Sequence, residues 1–190
     1  MISSKGNIHP EASIAADASV MGDVSIGAGT RIMPGARLVA EGGGRIRIGT
    51  YCIVLENAVI RATAKHETII GDHCLIGPNS HVVGATIEDE VFVATGASIF
   101  HGARLGTGSE VRINAVVHLR TVIAPNETVP IGWIAVGAPA ELFSPDQHEE
   151  IWRVQQPLDF PNFVYGVNRH MPHLMQTVTR NLSAMLADMV

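Results

Sequence analysis

The sequence predicts an all-β fold in which short parallel strands wind into a triangular column. The first observation is an aliphatic residue that recurs every six positions, as at Ile8, Ile14, Val20, Ile26, Ile32 and Leu38. The second is a small residue four places after most of these positions, and the third is Gly or Asn near the expected corners. A period of six fits neither a helix nor an alternating strand, whereas three such repeats make one coil of a β-helix.

Two insertions interrupt the repeat, and each predicts a loop that leaves the column. Residues 41–45 follow the repeat residue Leu38, and residues 63–67 follow Ile60. Counting three repeats to a coil places both loops on one face of the column, where departures from regularity favour a functional site. The inward residues of this face, called the loop face below, are Leu38, Ile60, Val82, Ile99 and Val117.

The column is expected to end before residue 141. After Val117 we expect the repeat to fray over residues 119–128 and then to close. The sequence therefore predicts a β-helix domain over residues 1–140 and a C-terminal helical extension over residues 141–190. We expect the extension to pack on the column or on a neighbouring subunit.

Two helices are predicted in the extension. A Ser-Pro-Asp-Gln start at residues 144–147 predicts a first helix that ends near Gln156. Residues 158–168 are expected to be irregular. A second helix over residues 172–189 has an apolar stripe that predicts one packed face; its members are Leu174, Val178, Leu182, Met185 and Met189.

Composition favours a cytoplasmic protein without nucleic-acid or membrane partners. The net charge of -5 disfavours binding to polyanions. No apolar run is long enough for a membrane span, and the first ten residues lack a signal-peptide core. Cys52 and Cys74 follow equivalent repeat residues, so we expect them to be inward-facing neighbours on consecutive coils. Two reduced thiols fit this compartment best, although the spacing also permits a disulfide.

Three segments, a short coil and the end of the column carry a family resemblance. The segments are residues 31–36, 54–60 and 70–77, and the coil over residues 82–87 is one residue short. In these features the chain resembles the gamma-class carbonic anhydrase family of hexapeptide-repeat proteins. The resemblance implies a left-handed parallel β-helix and a homotrimer. It also implies zinc or a similar divalent metal, held between subunits by three histidines, whose bound hydroxide attacks carbon dioxide.

The family's metal ligands are substituted in this chain. Where the family has histidine, alignment gives Ala64, Pro78 and Val83. Other histidines are expected at the same corner of the loop face. We therefore predict a relocated site for zinc or a similar metal, shared across a trimer interface, with the ligands His66, His81 and His101. The alternative is that these are interface histidines that form hydrogen bonds without metal.

Three charged residues are expected beside that corner. The family's Arg-Gly-Asp reads Val39-Ala40-Glu41 here, and its Gln-Asp pair reads Leu55-Glu56. Arg61 lies over Val39 on the next coil and can supply a guanidinium that holds bicarbonate or a small carboxylate. Glu41, Glu56 and Arg61 are therefore the candidate catalytic residues, with interface salt bridges as the alternative.

Three functions remain open at this point, and so does the question of enzymatic activity. The first is a gamma-carbonic-anhydrase-like metalloprotein, a lyase that hydrates carbon dioxide reversibly. The second is a hexapeptide acyltransferase that uses an acyl-coenzyme A donor, with His101 or His118 as general base. The third is a catalytically silent trimeric scaffold or small-anion binder.

Overall fold

The protein is a left-handed β-helix of about seven coils, followed by helices. A computed structural model describes residues 2–187. The sheet of the loop face contains β1 (Ile2–Ser4), the first half of β3 (Ser19–Ile26), β5 (Arg37–Ala40), β8 (Val59–Ala62), β11 (His81–Val83), β14 (Ser98–Ile99), β17 (Val116–Val117), β20 (Ile134–Val136) and β21 (Glu141–Phe143).

Two further sheets complete the triangular section. One contains the second half of β3, β6 (Arg45–Ile48), β9 (Thr68–Ile70), β12 (Thr86–Ile87), β15 (Arg104–Leu105) and β18 (Val122–Ile123). The other contains β2 (Ser13–Ile14), β4 (Arg31–Ile32), β7 (Ile53–Val54), β10 (Leu75–Ile76), β13 (Phe92–Val93), β16 (Glu110–Val111) and β19 (Thr128–Val129).

The register of the strands confirms the predicted loop face. Its repeat residues pair coil by coil in parallel, in the order Leu38, Ile60, Val82, Ile99 and Val117. All five side chains are fully buried in the core. Each such aliphatic side chain contributes about 1.5–3 kcal/mol through burial, so the stacked ladder is a main source of stability.

The column continues beyond Val117 without a break, so the expected fraying over residues 119–128 is wrong. Ile123, Val129 and Ala135 maintain the six-residue spacing and are buried in β18, β19 and β20. Polar and Pro-containing turns separate these residues, and such turns are as compatible with coil corners as with an irregular loop.

One corner of the column shows why Gly and Asn recur at fixed positions. A ladder of equivalent corner residues has φ between 55° and 71°, in the left-handed region that Gly and Asn tolerate best. Their amides donate to the preceding coil, as Asn57 does to Pro34 and Asn79 does to Glu56. The members of this ladder are Gly35, Asn57, Asn79, Gly96, Asn114 and Gly132.

The two cysteines are buried neighbours on consecutive coils, which confirms that prediction. The amide of Ile53, the residue after Cys52, donates to the carbonyl of Cys74. Both thiols are free, and each donates to a backbone carbonyl, of Gly71 and of Glu88. Contact with Cys52 and burial raise the pKa of the Cys74 thiol. The structure therefore holds both residues as core thiols.

Within residues 141–187, the C-terminal extension contains three α-helices and one 3-10 turn. β21 first runs antiparallel to β20. The helical elements are α1 (His148–Gln155), the 3-10 turn (Gln156–Leu158), α2 (Phe160–Tyr165) and α3 (Leu174–Leu186). Among the residues described, no helix is long and apolar enough to cross a bilayer.

α2 corrects the expectation that residues 158–168 are irregular. Asp159 and Gly166, both in the left-handed region, flank this helix, and Pro161 lies at its start. Proline at the start and glycine just past the end are favourable helix boundaries, so six residues suffice here.

α1 and α3 confirm that the other two predicted helices exist, with Val178 of α3 buried. The predicted start at Ser144 is wrong, because α1 begins at His148. Met189 of the predicted stripe lies outside the described residues.

Candidate functional site

α2 and α3 fold back over the loop face and partly cover an open cavity of about 460 Å³, called the roof pocket below. The column contributes β8, β11 and the turn after β14 to its floor. The volume lies within the usual range for small-molecule sites. The residues that carry the argument are Glu41, Arg61, Lys65, His81 and His101 on the column side, and Val164, Leu182 and Met185 on the helices.

The second insertion loop positions its residues through a tight turn. The amides and carbonyls of Thr63 and His66 exchange hydrogen bonds of 3.0 and 3.1 Å. At the base of the loop, the Thr68 hydroxyl donates to the Arg61 carbonyl and accepts from the Gly84 amide. These bonds fix the loop against β8 and place His66 beside the short coil.

Gly84 explains why the coil that begins at β11 can be one residue short. Its φ is +58°, and a Cβ there would lie 2.5 Å from the Cβ of His66 and 3.1 Å from Cδ2 of His101. Only a residue without a side chain permits this close approach of the loop. The short coil thus brings His66 and His101 together.

The predicted histidines gather at one end of the pocket, in an aromatic cluster. The rings of His66 and His101 meet edge to face, with centroids 5.3 Å apart. His66 also contacts Phe163 of α2, at 4.9 Å. His81 lies perpendicular to Phe100, at 6.4 Å. His81 and His101 line the cavity, whereas His66 packs between the column and α2.

Burial makes these imidazoles weak bases. Burial is the main cause that lowers the pKa of His101 from 6.5 to about 4, and repulsion from His66 and His81 in their protonated forms and from Arg61 adds to it. Burial also lowers the pKa of His81, with Arg61 as the second cause. The pKa of His66 falls for the same reason, with Lys65 as the second cause. The rings are therefore neutral at pH 7 and able to accept a proton.

His101 has a buried nitrogen without a partner. Its Nδ1 is sealed from solvent and makes no hydrogen bond to the described residues, and Nδ1 of His118 is in the same condition. A buried polar atom left unpaired costs about 1–3 kcal/mol. Because Nδ1 of His101 is buried, the other ring nitrogen, Nε2, is the one that can contact a ligand in the roof pocket.

Arg61 and Glu41 form an ion pair at the floor of the pocket. Nη2 of Arg61 donates to both carboxylate oxygens of Glu41, at 2.6 and 2.8 Å. Glu41 is only 4% exposed, whereas the Arg61 side chain is 39% exposed. The structure thus brings two of the three candidate catalytic residues together. Glu56 lies at a corner of the column and does not line the pocket.

The three histidines do not fit a zinc ion within one chain. Across residues 2–187, no group of three or more His, Cys, Asp or Glu side chains is placed to hold a metal. His66 and His101 pack ring edge against ring face, which is a packing contact and not a shared coordination geometry. The prediction of a site shared between subunits stays a prediction.

The sequence did not reveal the roof of the pocket. Val164, Tyr165, Leu182 and Met185 line it from α2 and α3. The apolar stripe of α3 predicted a packed face for that helix but not the surface it covers. Lys65, at the tip of the insertion loop, also lines the pocket and had no sequence signal.

Comparisons with known proteins agree with the repeat architecture. The family description "Hexapeptide repeat of succinyl-transferase" matches residues 67–101. The chain is 30% identical over 117 residues to the mitochondrial gamma carbonic anhydrase 1 of Arabidopsis thaliana, a match that covers 58% of this chain and 40% of that protein. The chain thus matches less than half the length of this curated relative.

Two solved structures share the fold. WeeI from Acinetobacter baumannii AYE is 27% identical, with a TM-score of 0.51 over 68% of this chain and 56% of that one. LpxA from Bacteroides fragilis, a UDP-N-acetylglucosamine acyltransferase, is 19% identical, with a TM-score of 0.61 over 92% and 89%. The second match shows the fold alone.

The repeats, their register and these matches define the class of protein. The chain is a left-handed β-helix built from hexapeptide repeats. Its coils are similar in sequence to those of plant gamma carbonic anhydrases, and its column is similar in shape to that of an acyltransferase.

Proposed function

We propose that the protein is an acyltransferase of the hexapeptide-repeat class and that the roof pocket is its acceptor site. The observation that carries this proposal is the cavity itself, about 460 Å³ with an apolar wall from α2 and α3. Triatomic carbon dioxide needs no such space, whereas an organic substrate does.

His101 is the proposed general base. Nε2 accepts the proton of the acceptor's hydroxyl or amine, while the acceptor's oxygen or nitrogen bonds to the thioester carbonyl carbon. The carbon–sulfur bond then breaks, and the leaving thiolate takes the proton back from His101. A positioned base of this kind contributes about 10²–10⁴-fold to a rate. At pH 7 the His101 ring is neutral and has one nitrogen free to accept a proton, although its pKa of about 4 makes it a weak base.

Release of free coenzyme A tests this proposal. Purified protein is given acetyl-coenzyme A and a panel of amine and hydroxyl acceptors, and thiol release is followed. We expect His101→Gln to lower the rate at least about 100-fold. The exposed His170→Gln is the matched control and should leave the rate unchanged. If His118→Gln abolishes release and His101→Gln does not, His101 is the wrong base.

A gamma-carbonic-anhydrase-like metal site between subunits is the second candidate. The sequence match to the plant proteins favours it, and so does the gathering of His66, His81 and His101 on one surface. It requires a homotrimer that binds zinc, which we place in the cytoplasm. Stoichiometric zinc that is lost in His66→Ala, together with carbon dioxide hydration by the zinc-loaded trimer, would favour this candidate over acyl transfer. If neither activity is found, a silent scaffold remains.

A further inference from the structure

Arg61 keeps hydrogen-bonding capacity that faces the roof pocket. Among the described residues, Arg61 makes two side-chain hydrogen bonds. Nη2 donates both of them, and the carboxylate of Glu41 accepts them. A guanidinium has five N–H donors in a planar fork, so Nη1 and Nε remain for a second acceptor. Because Arg61 is partly exposed and lines the cavity, that acceptor can belong to a ligand. A ligand carboxylate can accept a single charge-assisted hydrogen bond from one of these remaining donors.

The net charge of the pocket lining is positive, like the charge of Arg61. Lys65 also lines the cavity, and none of the ion pairs found in residues 2–187 involves it. Glu41 is the one acidic residue in the described lining and is already paired with Arg61. With neutral histidines, the lining carries a net positive charge and favours an anion.

The opposite wall of the pocket is mainly apolar, although Tyr165 and Asn181 also line it. Val164 of α2 and Leu182 and Met185 of α3 face the charged floor across the cavity. A small inorganic anion would leave this wall without a partner, although burying apolar surface is favourable. The lining therefore suits a molecule with a charged head and a hydrocarbon body.

We propose that the roof pocket selects an organic carboxylate that has an apolar body and carries the hydroxyl or amine that acyl transfer requires. Its head lies on Arg61 beside His101, and its body lies under α2 and α3. Glu41 is a positioning residue that holds the guanidinium in place. This inference rests on the proposed function, since it names the substrate class of the same pocket.

Equilibrium binding of two matched probes tests this inference. Octanoate and octanamide share a chain and differ in charge, and isothermal titration calorimetry measures both without any thioester. We expect octanoate to bind at least about tenfold more tightly than octanamide, since a hydrogen bond to a charged group exceeds a neutral one. Arg61→Gln should abolish that preference, and the exposed Arg47→Gln should preserve it.

A second set of variants keeps the test decisive. Arg61→Gln leaves Glu41 buried without its partner. The double variant with Glu41→Gln and Arg61→Gln is therefore measured as well, and it should also lose the preference for octanoate over octanamide. Leu182→Asn should weaken both probes alike. Equal affinity for the two probes, or no binding of either to the wild-type protein, overturns the inference. Preference for octanoate without any coenzyme A release would instead overturn the proposed acyl transfer and leave the inference standing.

Discussion

Protonation of His101 should destabilise the fold at acid pH. In the folded chain, burial and repulsion from protonated His66 and His81 and from Arg61 lower the pKa of His101 from 6.5 to about 4. In the unfolded chain its pKa is the ordinary value, so between these two values the unfolded state binds more protons. Stability is therefore full above about pH 6.5 and falls as the pH drops towards 4. The lowering of the His101 pKa corresponds to a loss of about 3 kcal/mol in the free energy of unfolding.

Urea unfolding at several pH values between 7.5 and 4 measures this loss. The wild-type protein is compared with His101→Gln, which removes the titrating group and keeps a polar side chain of similar reach. His66 and His81 shift in the same direction and remain in both proteins, so the difference isolates His101. We expect the wild type to lose about 3 kcal/mol more than the variant over this range. Equal losses in the two proteins would refute the reasoning.

Three further substitutions test the column and the site. Ile99→Ala, in the fully buried ladder of the loop face, should lower the free energy of unfolding by about 2–5 kcal/mol in urea titrations; a loss below that range contradicts the stacked core. Gly84→Ala should cost about 1–3 kcal/mol, because the new Cβ meets His66, and an unchanged melting temperature would argue against that contact. Glu41→Gln should cost about 1 kcal/mol, since Arg61 is partly exposed to solvent. That difference should shrink in high salt, and a salt-independent value contradicts an ionic origin.

The sequence predicted the column well because one periodic constraint decides it. Each coil places an aliphatic residue in the same narrow interior, so Val82 had to lie beside Ile60 and Ile99 once the repeat was counted. Continuation through Ile123 was missed because its flanking turns are rich in polar residues and proline. Such turns look alike in a regular corner and in an irregular loop.

The site was predicted only in part. A repeat shows where a loop leaves the column, but it does not show against which residues the loop packs. Both loops leave from the loop face as expected, and Glu41 and Arg61 do meet there. The position of α3 over that face depends on contacts between distant segments, which no local period encodes. For the same reason, the sequence predicted three histidines at one corner but did not reveal how His66 and His101 pack against each other.

β21 limits how long the column can grow. It turns back against β20 and occupies the edge where another parallel coil would otherwise pair. An open sheet edge invites strands of other molecules, and this reversal covers that edge on the loop face. A further coil at this end would have to displace β21 before it could pair with β20.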